Sequence, residues 1–267
     1  MSSTTNQNTF AHTLKSLHKP GNPLLLTNVW DAITARAVAQ LPATQAIATA
    51  SFAIAAAAGL EDHDLSLEVN LSAIRAIALI AKSLLKPLTV DLQDGYGDQL
   101  ERGIREIIKL GAVGCNLEDF GRELGANGDL YPIEVAQERI RTVMRVANEE
   151  GVPDFVVNAR TDALLNGRSM EEAIARGKAF LEAGASNVFV WGGKERGGTT
   201  RAEVVELVKA FKGQLNVILV RLLPGGLTVD ELKEIGVARI SIGPQLMWKT
   251  SGLVAEEAGR ILAGEAA

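Results

Sequence analysis

Eight times along the chain, a short apolar or β-branched run gives way to a turn and then to a helical pattern. The runs are residues 24–29 (LLLTNV), 45–50 (QAIATA), 87–91 (PLTVD), 112–117 (AVGCNL), 154–159 (DFVVNA), 187–190 (NVFV), 216–220 (NVILV) and 239–242 (RISI). Their mean spacing is about 31 residues, the length of one strand-plus-helix unit. Between them, residues 71–85 and 133–147 carry apolar side chains at helical spacing. Ser169 with Glu172, and Thr228 with Glu231, read as capping boxes that open helices. Gly184 and Gly236 read as their stops. Eight strands alternating with helices predict parallel pairing and buried strands. A closed (β/α)8 barrel fits best. An open doubly wound sheet is the alternative, because periodicity does not establish closure. A Rossmann fold is disfavoured, since no G-x-G-x-x-G follows the first run, and no G-x-x-x-x-G-K-[ST] loop is present.

The length of 267 residues suits one such barrel, and no composition shift divides residues 1–267. About the first 20 residues read as a short polar extension without the apolar core of a signal peptide. Lys plus Arg total 27 against 32 Asp plus Glu, so no basic excess suggests a nucleic-acid partner. The most apolar stretch, residues 45–60, is shorter than a membrane span. A soluble, cytoplasmic chain is the expectation. The single cysteine, Cys115, lies within the fourth run and reads as a small core residue. The segment 192–198 (GGKERGG) reads as a mobile loop.

Catalytic groups of barrels sit where strands end. Here those ends carry Asn28 and Asp31, Ser51, Asp91 with Gln93 and Asp94, Glu118 with Asp119, then Asn158, Arg160 and Asp162. Carboxylates converging on one rim suit a hard divalent cation, and an arginine beside them suits a substrate carboxylate. No H-E-x-x-H, C-x-x-C or G-x-S-x-G is present, and His12, His18 and His63 are scattered.

The pieces NVWDA (28–32), ATASFAIAAAAGLED (48–62), VDLQDGYGD (90–98), GAVGCNLED (111–119), NARTDA (158–163) and GVARISIGP (236–244), in this order, resemble the isocitrate lyase/phosphoenolpyruvate mutase superfamily. The resemblance implies a magnesium-dependent barrel acting on small 2-oxo or 2-hydroxy acids through an enolate-like intermediate. It implies Asp91 as the direct Mg2+ ligand, with Asp62 and Glu118 holding metal-bound waters. Arg160 would grip the substrate or stabilise the enolate, with Glu118 beside it in the catalytic set. Ser51 and Phe52 would belong to the carboxylate-binding loop, Tyr96 and Gly97 to the glycine turn, and Asn158 to the substrate site. It also implies a homo-oligomer, a dimer of dimers, with the last helix (residues 247–262) exchanged between subunits. Two departures stand out. Where the superfamily often has a second acid before the glycine turn, this chain has Gln93, whose amide oxygen can still hold a metal-bound water. Where superfamily lyases carry K-[KR]-C-G-H, this chain reads FGRELGANGDLYP (120–132), with no Cys, His or Lys. Isocitrate-type cleavage is therefore disfavoured. A lyase- or hydrolase-like reaction on an oxaloacetate- or phosphonopyruvate-like acid is expected; a phosphonomutase, or a metabolite-binding barrel without catalysis, is the alternative. The glycines in 120–131 make that segment a candidate lid.

Overall fold

The computed structural model describes residues 3–125, 128–220 and 226–264, with the side chains of 3–6 excepted. Asn127, within the expected lid, lies outside the described residues. The barrel strands are β1 (Leu24–Leu26), β2 (Ile47–Ala48), β3 (Leu88–Asp91), β4 (Gly114–Glu118), β7 (Val156–Thr161), β8 (Asn187–Val190), β9 (Leu215–Ile218) and β10 (Arg239–Ser241). They pair in parallel in the order β1-β10-β9-β8-β7-β4-β3-β2. A further parallel bridge, Val29 to Thr49, joins the two outer strands. Val29 N–H donates to Ala48 O at 2.8 Å, and Ala50 N–H donates to Val29 O at 3.2 Å. That seam makes the sheet a barrel and excludes the open alternative. Asn28 reinforces it. Its Oδ1 accepts from the Ile242 and Gly243 N–H groups at 3.1 and 3.0 Å, and its Nδ2 donates to Thr49 O at 2.7 Å.

The helices form the outer layer. Ile74 and Ile77 of α4 (Leu67–Ser83), Ile104 and Ile107 of α5 (Leu100–Leu110), and Val143 of α6 (Ile133–Glu149) are fully buried against the strands. This is the inward stripe that a three-to-four spacing produces. Thr228 makes a complete capping box with Glu231 at the start of α9 (Val229–Ile235). At α7 (Met170–Glu182), Ser169 caps the Glu172 N–H, but the Glu172 carboxylate accepts from Arg176 Nε at 3.0 Å. The full box expected there is replaced by an i,i+4 ion pair, because a charged partner one turn on outcompetes a backbone N–H.

Residues 3–17, read in sequence as part of a polar extension, fold as α1 (Ser3–Leu17) across the N-terminal mouth of the barrel. Ala11 and Leu14 are fully buried there. A Cβ at Gly114 would come within 2.8 Å of Val156 O and 3.0 Å of Leu14 Cδ2, so only glycine permits that approach. His18 follows α1; its Nδ1 donates to Leu14 O at 2.8 Å, and its buried Nε2 has no protein partner. Cys115 is fully buried in the core. Among the described residues, no helix is long and apolar enough to cross a membrane.

Candidate active site

The C-terminal ends of the strands open into a cavity of about 460 Å3. Ser51, Asp62, Asp91, Asn116 and Arg160 are among the polar residues that line it. Asp91 ends β3, and its backbone N–H donates to Thr49 Oγ1 at 2.8 Å. From behind, Asn70 of α4 donates to Asp91 O at 2.9 Å and to the Tyr96 hydroxyl at 2.8 Å. Ser51 opens α3 (Ser51–Ala57); its N–H donates to Asp91 Oδ2 at 3.1 Å and its hydroxyl to Asp62 Oδ1 at 3.3 Å. Gln93 Nε2 donates to Asp62 O and Oδ1, both at 2.9 Å, and Gln93 Oε1 is buried without a protein partner.

Arg160, on β7, is fixed from two sides. Its Nε and Nη2 donate to the two carboxylate oxygens of Asp162 at 2.6 and 2.8 Å, a bidentate grip. Its Nη1 lies 3.1 Å from Glu118 Oε2. Asp162 is seated by Asp119, whose Oδ1 accepts the Asp162 N–H at 2.9 Å and whose Oδ2 accepts from Thr161 Oγ1 at 2.7 Å and Arg176 Nη1 at 3.2 Å. Asp162 and Asn70 thus position the site, though sequence reading assigned neither a role. The i,i+2 spacing of Arg160 and Asp162 on one strand face was the available signal.

Among the described residues, carboxylates crowd the site around Arg160. Burial, followed by the nearby Asp91, raises the Asp62 pKa. Burial pushes Glu118 well above the ordinary carboxylate range, and Arg160 only partly offsets this. Arg239, fully buried in the barrel below, donates to Asn116 Oδ1 at 3.1 Å, while its Nε and Nη1 have no partner among the described residues. Burial lowers its pKa to about 10, against the pull of Asp91.

The structure does not bring all the expected residues to the cavity. Phe52 lines it, 39% exposed. Glu118 stands behind Arg160, outside the cavity lining. Asn158 points into the closed barrel and donates to Asn116 Oδ1 at 2.9 Å. Tyr96, at φ +61°, is buried beneath the segment after β4, with the Arg122 guanidinium 5.5 Å from its ring centre. Gly97 O accepts from Arg139 Nη1 at 3.1 Å, away from the cavity. Among the described residues, no three His, Cys, Asp or Glu side chains gather closely enough to form an ion cage.

The segment after β4 folds as a short antiparallel hairpin, β5 (Phe120–Gly121) with β6 (Asp129–Leu130). Arg122 pins it, donating to His63 O at 2.7 Å and Asp94 Oδ1 at 3.1 Å. The Tyr131 hydroxyl donates to Glu123.

The profile of the phosphoenolpyruvate phosphomutase family matches residues 14–262. The chain belongs to that family, within the isocitrate lyase/PEP mutase superfamily. An uncharacterised Mycobacterium tuberculosis protein is 31% identical to this phosphomutase-family chain over 230 residues, spanning 85% of it and 80% of the relative. The 2-methylisocitrate lyase of Escherichia coli K12 is 33% identical over 190 residues, spanning 65% and 62%. A crystal structure of a Burkholderia cenocepacia J2315 protein, provisionally named a phosphonomutase, is 33% identical with a TM-score of 0.82, covering 97% of this chain and 99% of that one. A phosphonopyruvate hydrolase complexed with oxalate and Mg2+ shares the fold at a TM-score of 0.81 and 24% identity, covering 96% and 88%. Members of the family are lyases, mutases and hydrolases, and this family member is an enzyme of the same broad kind.

Proposed function

We propose that the chain is a magnesium-dependent enzyme that cleaves or hydrolyses the bond beside the carbonyl of a small 2-oxo acid through an enolate-like intermediate. One observation carries the reading: among the described residues, Asp62, Asp91, Glu118 and Asp162 cluster around the Arg160 guanidinium, more carboxylates than it can pair with, and a divalent cation would balance them. The donor set suits magnesium. Its ligands are all oxygens, and Gln93 Oε1 is a buried acceptor with no protein partner. Magnesium needs only one or two protein carboxylates and keeps several waters. Asp91 would hold the ion directly, with Asp62, Glu118 and Gln93 reaching its water shell. When bound, the ion supplies Lewis-acid polarisation of the substrate carbonyl.

The chain's own residues do the rest. Arg160, held rigid by Asp162 and Glu118, presents its remaining N–H groups to the charge that develops on the substrate oxygen. Ser51 orients Asp91 and Asp62. Among the described residues, no Cys or His lines the cavity, which favours reactions in which water or the substrate supplies the proton, such as decarboxylation or hydrolysis. The test is turnover of oxaloacetate and phosphonopyruvate with and without Mg2+, following pyruvate, oxalate and phosphate, with Asp91→Ala as the control for metal-only decarboxylation. Magnesium-dependent turnover lost in Asp91→Ala supports an enzyme of this kind. Oxalate binding without turnover of either acid, or of their longer-chain 2-oxo acid analogues, favours a metabolite-binding barrel. Phosphonopyruvate converted without release of phosphate favours a phosphonomutase.

A further inference from the structure

The cavity has a second wall that a small diacid does not use. It starts beside the charged groups and runs outward. The Phe189 ring lies 5.7 Å below the Arg160 guanidinium and 6.2 Å from Trp191. Phe52, next to Ser51, meets Trp248 edge-on at 5.7 Å. Leu165 completes the wall, and Lys194 Nζ sits 5.5 Å over the Trp248 ring at the rim. Phe52 and Leu165 line the cavity and are 39% and 47% exposed, so the protein covers their apolar surface only in part. Exposed aromatic surface lining a concave site is covered when an apolar group binds. The cavity volume falls in the range of sites that hold ligands much larger than a four-carbon acid.

We infer that the substrate is a 2-oxo or 2-hydroxy acid carrying a branched aliphatic or aromatic substituent, which packs on Phe52, Leu165, Trp191 and Trp248 while its carboxylate end faces Arg160 and Asp91. The inference rests on the reading of the charged end given above. Phe52 comes from the start of α3, Trp191 from the end of β8, and Trp248 from α10 (Gln245–Leu262), so the wall is specific to the closed barrel.

The test is calorimetric binding, with Mg2+ present, of oxalate and of a ladder of acids: pyruvate, 2-oxobutanoate, 4-methyl-2-oxopentanoate and phenylpyruvate. Burying a methylene is worth about fourfold in affinity. The expected result is tighter binding up the ladder, at least tenfold from pyruvate to 4-methyl-2-oxopentanoate, with quenching of tryptophan fluorescence. In Trp191→Ala and in Phe52→Ala, that ratio should fall at least fivefold while the melting temperature stays near that of the wild type. Phe52 is exposed enough that its truncation leaves the fold intact if Trp191→Ala proves unstable. Oxalate binding combined with a flat or inverted ladder overturns this inference and leaves the charged-end reading standing. Failure of oxalate to bind overturns both.

Discussion

The backbone N–H of Ser51 donates to Asp91 Oδ2 at 3.1 Å. The start of α3 is thereby bound to the carboxylate that ends β3, two elements 40 residues apart in sequence. With its hydroxyl on Asp62, Ser51 holds the acid pair together in this conformation. Ser51, expected in the carboxylate-binding loop, lines the cavity and also orients these two carboxylates of the protein.

Gln93 faces the Asp62 carboxylate through its amide. Its Nε2 satisfies Asp62, so Gln93→Glu sets a carboxylate against a carboxylate. At pH 8 without Mg2+, the variant should lose about 1–3 kcal/mol. Mg2+ should restore most of that loss, because a ligand of the native state alone stabilises it. Thermal unfolding across a Mg2+ titration checks this. A Mg2+ shift equal to the wild-type shift would mean that residue 93 does not face the ion.

Asp162 fixes the Arg160 guanidinium through two hydrogen bonds. Asp162→Asn keeps the shape but only one acceptor and no charge. Oxalate affinity in Mg2+ should fall about tenfold, and any turnover by more, since a misplaced guanidinium costs the transition state most. Calorimetry paired with initial rates separates the two. Wild-type values for both would show that Glu118 alone positions Arg160.

His18 gives a pH signature. Burial, with the Arg239 charge beside it, lowers its pKa from 6.5 to about 3. Between those values the unfolded chain binds a proton that the native chain refuses, so stability falls as pH drops from 6.5. Asp119 acts oppositely: burial raises its pKa from 3.8 to about 6, so its contribution falls as pH rises across that window. In His18→Gln the rise of stability with pH between pH 5 and 6.5 should be smaller than in the wild type, by at most about 1.4 kcal/mol per pH unit, leaving the opposite Asp119 slope exposed below pH 6. Urea unfolding at several pH values measures it; parallel curves for the two proteins would remove His18 from the account.

Arg122 secures the hairpin after β4 to Asp94 and to the carbonyl of His63. Arg122→Ala should lower global stability by about 1–3 kcal/mol, because it removes a charged partner from the buried Asp94 carboxylate. It should also raise amide exchange in β5 and β6. Unchanged exchange there would show that the two-strand pairing alone holds the segment down and that it is no lid on Arg122's hinge.

The last helix, α10, has no buried residue; Val254 and Ile261 are 63% and 65% exposed, and Leu262 87%. Such an apolar face calls for a covering partner, and exchange between subunits is the arrangement the sequence resemblance implies. Light scattering should give a multiple of 28.4 kDa, and Val254→Glu with Ile261→Glu should drive the mass toward the single chain. A wild-type mass of one chain would reject assembly through this helix.

The 31-residue recurrence was enough to determine eight strand-helix units and to put Asp91, Glu118 and Arg160 at strand ends, because a strand's period and termination are local properties of the backbone. Boundaries moved by a few residues: β1 stops at Leu26, since the chain then bends to make the Val29–Thr49 bridge. Tertiary structure alone decided closure at that bridge and the use of α1 as a floor. It also turned Glu118 to Arg160, set Tyr96 under Arg122 outside the cavity, and built an aromatic wall from Phe52, Trp191 and Trp248. The physical reason is common to all of these. Periodicity reports which face of an element is buried, whereas a side chain's partner depends on which distant elements closure brings beside it, and a polar group binds whichever satisfied geometry that packing offers.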